Sequence, residues 1–191
     1  MTQTLTKNTS KTKKPIELNP NCFQFEILEL VSAQRSNTKK VELLQKYQND
    51  ALTSILIWNF DQSLISLLPE GDVPYGNLKD EASFSGSLSD KIVNKNQRDT
   101  ISYNGTEENI KTQKSSIRNE YTRFYNFLKG GNDSLSSIRR ELMFINMLEG
   151  LHPKEAEILI LVKDKRLTDK YKISFDNVKE SYPNIVWGGR S

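Results

Sequence analysis

The only histidine of the chain, His152, stands three residues before Glu155 in the stretch 147-MLEGLHPKEAEILILVKDK-165. An imidazole near a carboxylate can act as a general base, provided a nucleophile or an orienting group is held within hydrogen-bond reach. The same residues also spell the start of a helix. Pro153 suits a first helical turn, where its missing N–H would have no partner in any case. Glu155 and Glu157 then sit near the positive end of the helix dipole, and Lys163, Lys165 and Arg166 near the negative end. The helix reading accounts for every polar residue of the stretch, so it is preferred. Ile158, Leu159, Leu161 and Val162 become candidates for the core.

Other chemistry is thinly represented. The carboxylates Glu26, Glu29, Glu42, Asp61, Glu141 and Glu149 are scattered singly, each expected on the polar side of a helix. There is no DxD, no GxSxG and no GxxxxGK[ST] phosphate cradle. One cysteine, Cys22, and one histidine cannot form a Cys/His zinc site within one chain. The sequence therefore points away from an enzyme, and toward no metal, no cofactor and no evident small-molecule substrate.

Binding is better supplied. The segment 163-KDKRLTDKYK-172 places Lys163, Lys165, Arg166, Lys170 and Lys172 against two aspartates. In 114-KSSIRNEYTRFYNFLK-129, Arg118, Arg123 and Lys129 alternate with Tyr121, Phe124 and Tyr125, a mixture that can stack bases and touch phosphates. Each cluster has a plainer explanation: cations favour a helix C-terminus, and the aromatic residues also form an apolar helix face. Lysines at 7, 11, 13 and 14 add a basic tail able to contact nucleic acid without sequence preference.

The elements that must position these groups follow from periodicity. Helices are expected over 23–34, 37–48, 49–68, 115–131, 135–150, 152–163 and 174–183, with caps at Asn49 and Ser174 and stops at Pro69, Gly130 and Gly150. The apolar stripe of the fifth is expected to be Leu135, Ile138, Leu142, Ile145 and Leu148. No convincing strand alternation appears. The expected fold is all-α, a compact bundle of six or seven helices. Residues 1–20 are polar and lysine-bearing and read as a disordered tail, whereas 77–114 reads as a flexible linker or insertion. Helical blocks 21–76 and 115–191 are expected to pack together, with the closing WGGRS frayed except for a docked Trp187.

The net charge is +3. Four lysines and one glutamate of the first 20 residues account for it, leaving 23 basic against 23 acidic groups in the remainder. The body thus carries no global attraction to nucleic acid or membrane. No apolar run reaches the roughly 18 residues a membrane span requires, and the N-terminus lacks the apolar core of a secretory signal. A lone cysteine fits a reducing cytosol.

Residues 50-DALTSILIWNFDQSLISLLPEGDVPY-75, 139-RRELMFINMLEGLHPKEAEILILVKDKRLTDKY-171 and 178-VKESYPNI-185 resemble a family of small proteins of T4-like tailed phages, especially those of cyanobacteria. The resemblance covers about two thirds of the chain and brings no established activity. It implies a phage protein in the cytoplasm of an infected bacterium, or one packaged in the virion. Two functions stay open. One is a non-catalytic accessory protein that binds nucleic acid or the replication and transcription machinery. The other is a virion structural or assembly protein, or a helical module for contact with a phage or host protein.

Overall fold

The computed structural model describes residues 17–71 and 115–190. The expectations for the lysines at 7–14 and for the insertion at 77–114 fall outside these residues. Among the described residues there are eight α-helices and no strand. They are α1 (Gln24–Ser32), α2 (Asn37–Lys46), α3 (Asp50–Phe60), α4 (Ile117–Glu120), α5 (Ser137–Gly150), α6 (Pro153–Lys163), α7 (Leu167–Lys170) and α8 (Phe175–Ser181), with a 3-10 helix at Tyr121–Phe127 between α4 and α5. The all-α expectation holds. The helix count exceeds the expected seven by one, the single-turn α7, which no expected helix covers.

Local chemistry sets most boundaries. The Asn49 side chain accepts the Leu52 N–H at 2.9 Å and starts α3. His152 caps α6, its Nδ1 accepting the Lys154 N–H at 3.2 Å ahead of Pro153. Ser174 and Asn177 form a reciprocal capping box on α8. Helix α6 ends in a Schellman-type turn, with the Arg166 N–H donating to the Leu161 carbonyl at 2.8 Å and Lys165 in the left-handed region at φ 58°.

Four expectations are corrected. Helix α3 stops at Phe60, not Leu68. Asp61 accepts the Ser63 N–H at 2.9 Å in an Asx turn that competes with the next helical bond. The chain then runs extended, and Ser66 bridges Leu128 antiparallel, with Leu67 N–H on the Phe127 carbonyl at 2.8 Å. The segment 115–131 tightens to a 3-10 helix after one α turn. Its period of three puts Phe124 and Phe127 in the core and leaves Tyr125 53% exposed. At Gly131 a Cβ would lie 2.0 Å from the Tyr125 carbonyl oxygen, so only glycine fits this turn.

The third correction concerns α5, which is rotated from its expected face. Phe144, Ile145, Met147 and Leu148 are buried, whereas Ile138 is 70% and Leu142 50% exposed. Arg140 turns inward instead, donating to the carbonyls of Asn126 at 2.8 Å and of Asn132 and Leu135 at 3.0 Å each. Three bonded carbonyls make a buried guanidinium tolerable, and Phe144 locks the rotation edge-on against Phe127 at 5.2 Å. Fourth, the closing residues, expected to be frayed, are tied down as far as Arg190, while of the tail expected over 1–20 only residues from 17 onward are described. The Leu18 N–H donates to the Tyr47 hydroxyl at 3.1 Å, and the Gly188 N–H to Asp61 at 3.2 Å.

A single buried cluster takes residues from both helical blocks, including Leu28, Leu52, Leu56 and Trp58 from the first and Phe127, Phe144, Leu148 and Leu159 from the second. Helix α3 packs against α4, α6 and the 3-10 helix, and α2 packs along α8. Because Leu159 is fully buried, Leu159→Ala should cost about 2–5 kcal/mol in urea unfolding. Ile138→Ala should stay within about 0.5 kcal/mol. Equal costs would mean that α5 and α6 are turned otherwise.

Candidate functional site

The suspected His152 and Glu155 pair does not converge. The Glu155 carboxylate is completely buried and accepts the Gln24 N–H at 3.1 Å and the Ile117 N–H at 2.9 Å. Both donors are first residues of helices, so one carboxylate closes the starts of α1 and α4. Burial pushes the Glu155 carboxyl up, against the pull of those two N–H groups and of Arg118. His152 stacks on Phe25 at 4.8 Å and lies 5.4 Å from Phe23; burial, and then Lys154, hold its imidazole below the ordinary value. Glu149 and His152 have the Glu-x-x-His spacing that one helix could turn toward a metal. Here the chain breaks at Leu151, leaving Glu149 on α5 and His152 at the cap of α6. Among the described residues no group of three or more His, Cys, Asp or Glu side chains could hold a metal ion.

The basic residues singled out in the sequence are largely occupied. The side chain of Lys163 is wholly buried, its ammonium donating to the carbonyls of Pro69 at 2.9 Å and Gly71 at 2.8 Å and to the Asp164 carboxylate at 2.7 Å. Lys165 reaches the Asp61 carbonyl at 2.5 Å. Arg166 pairs with Asp169 at 2.8 Å, and Lys170 pairs with Glu157. Arg118 donates through Nε to the Cys22 carbonyl at 3.1 Å, and Arg123 pairs with Glu120 at 2.9 Å. Lys129 and Lys172 are exposed, and neither ammonium has a partner among the described residues. The five cations of 163–172 therefore do not make a common free surface.

A different feature presents itself on α5. Beside it, against the segment of α4 and the 3-10 helix, runs a groove of about 510 Å³ lined by Leu142, Met143, Met147 and Gly150, with Arg123, Arg139, Glu120 and Asn146 around them. Met147 is buried and Leu142 half-exposed, and Ile138 continues the apolar line one turn back. Arg139 is exposed with no side-chain partner among the described residues. The outward stripe of α5 was legible in the sequence. That it faces solvent was not, since its spacing equals that of a core face.

Two stretches, residues 27–87 and 81–169, match a family described as of unknown function, DUF6433. The chain belongs to this family. No curated protein matches the chain, and no solved structure does. In this DUF6433 member no helix among the described residues is long and apolar enough to cross a membrane.

A carboxylate absent from the surface is as informative as a free one. Asp61 accepts the Ser63 hydroxyl at 2.7 Å, the Gly188 N–H at 3.2 Å and the Arg190 guanidinium. Burial alone would raise its carboxyl, but the bonds from Ser63, Gly188 and Arg190 hold it down at about 2. Its folded value is depressed, so its contribution to stability is present above the ordinary 3.8 and is lost as pH falls toward 2. Asp61→Asn should cost on the order of 2 kcal/mol at pH 7 and flatten the loss of stability between pH 5 and 2, read by urea unfolding across that range. Glu155→Ala, which orphans two buried N–H groups, should cost about 2–5 kcal/mol, against about 1 kcal/mol for the cap lost in His152→Ala. A mild Glu155→Ala would show that the two helix starts do not rely on it.

Proposed function

We propose that this protein is a non-catalytic accessory factor that works by receiving an amphipathic, acidic segment of a protein partner along α5. The supporting observation is the second apolar line of that helix. Ile138 and Leu142 are the most exposed apolar residues of α5, while the opposite face already supplies the core. Leu142 lines an open groove of about 510 Å³, and Ile138 lies one turn before it on the same helix. An unpaired Arg139 and the half-engaged Arg123 favour carboxylates on the incoming segment. Anchors at i and i+4 on one helix are the usual way an apolar groove reads another helix.

The resemblance to proteins of T4-like phages gives this reading its setting, a bacterium in the course of infection, with a phage or host protein as partner. Assembly into the virion is the second reading, because an apolar line of this kind also serves a permanent contact. Direct contact of the replication or transcription machinery through 163–172 is less favoured, since those cations are committed to carbonyls and carboxylates within the fold.

The test compares tagged wild type with Leu142→Asp and Arg139→Glu in pull-downs from infected cells, with and without nuclease. Both substitutions lie on the surface and should leave the Tm within a few degrees. The expected result is a partner that survives nuclease and is reduced at least tenfold by either substitution. A partner held equally by wild type and both variants would overturn the assignment of the groove.

A further inference from the structure

With most cations of the described residues engaged, the free ones acquire meaning, and three of them share an edge. The Lys172 N–H donates to the Ser32 hydroxyl at 2.9 Å, and the buried Lys40 ammonium donates to the Lys172 carbonyl. These two bonds, spanning 140 and 132 positions in the chain, fasten the extended residues 171–173 to the last residue of α1 and the first turn of α2, on either side of the turn between them. Arg35 lies in that turn, Lys39 in the first turn of α2 and Lys172 beside both, and all three are exposed. None of the three side chains takes part in an ion pair among the described residues. Asp176 lies within 171–176 and Glu42 stands one turn beyond Lys39 on α2, so the edge sets four cations, Arg35, Lys39, Lys172 and the underlying Lys40, against two carboxylates. The first turn of α2, which begins without a side-chain cap, adds its positive end to the same place.

We infer that the edge formed by Arg35, Lys39 and Lys172 contacts the phosphodiester backbone of a nucleic acid without reading its sequence. The argument is one of charge chemistry. Phosphates are matched by flexible or forked cations that have no internal partner, and such contacts position a protein on nucleic acid without selecting bases. The edge was invisible to a linear search for basic clusters, because only folding brings Lys172 beside Arg35 and Lys39. It is built from other elements than the α5 groove and stands or falls independently of it. Together they would make the protein a bridge between nucleic acid and a protein bound to it.

The experiment is a salt titration of full-length protein binding to a fluorescent 20-base-pair DNA duplex, with an RNA duplex of the same length as a second arm. It compares wild type, the triple variant Arg35→Ala/Lys39→Ala/Lys172→Ala, and a control triple variant Lys129→Ala/Lys154→Ala/Arg166→Ala of equal charge. Each phosphate contact contributes about −0.9 to the slope of log K against log salt. The edge variant should therefore lose about 3 from the wild-type slope, and the control less than about 1. An unchanged Tm in both variants shows that folding is intact, since the fastening bonds involve the Lys172 backbone and Lys40. No binding by wild type at low salt, or equal losses in the two triple variants, would overturn the inference. So would polyglutamate that binds as tightly as the duplexes and is released by the same triple substitution, because the edge would then be a site for acidic polypeptide.

Discussion

Two helix starts depend on one buried carboxylate. Glu155 gathers the N–H of Gln24 and that of Ile117, residues near the starts of the two described segments. A helix N-terminus leaves its first amides without internal partners, and in a dry interior each unpartnered amide is costly. Placing both on the first turn of α6 fixes where α1 and α4 begin relative to the helix that runs through the core. The arrangement has a cost of its own, because burial disfavours the charge that makes the carboxylate a good acceptor. It persists because the two amides and the nearby Arg118 return enough favourable interaction to keep the group in place.

The cations complete the same scheme from the other side. Where Glu155 collects donors, Arg140, Lys163, Lys165 and Lys40 collect carbonyls from loops and turns. A short helix fold has many chain ends and turns whose carbonyls face inward without ladder partners. A lysine brings three donors and an arginine five, so one side chain can satisfy a whole turn. Lys163 does so for the exit at Pro69 and Gly71, and Arg140 for the loop at 126–135. Lys165 accepts a left-handed backbone, a position better suited to glycine, and its ammonium ties the end of α3 to the end of α6.

This use of charge explains what could be read in advance and what could not. Caps at Asn49, His152 and Ser174 were legible, because each needs only residues two or three apart. The helical class was legible from the period of the apolar residues. The end of α3 was not, since 61–68 remains apolar enough for helix; the decision lies with the Asp61 side chain, which turns the chain and also holds Gly188 and Arg190 from the far end. Nor was the rotation of α5 legible, because the expected stripe and the true buried face differ by only about one residue and an inward arginine runs against composition rules. For the candidate surfaces the difficulty is of another kind. A run of basic residues shows charge but not what the charge is bonded to, and the run at 163–172 is spent largely on the fold.

That expenditure limits how this protein can recognise anything. Each lysine or arginine committed to a carbonyl is withdrawn from long-range attraction and from contact. What remains among the described residues is a small set of free cations, on a body whose formal charges nearly cancel. Contact through so few cations is weak and strongly salt-dependent, because screened charges give little affinity at ordinary salt, and it supplies only part of what holding a protein partner would need. Apolar contact must supply the rest, and α5 holds an unspent share of it in Ile138 and Leu142. Its inward face carries stability and its outward face does not, so selection can alter the outward face with little effect on folding. The carboxylate and the carbonyl-collecting cations hold the frame beneath that face without drawing on it.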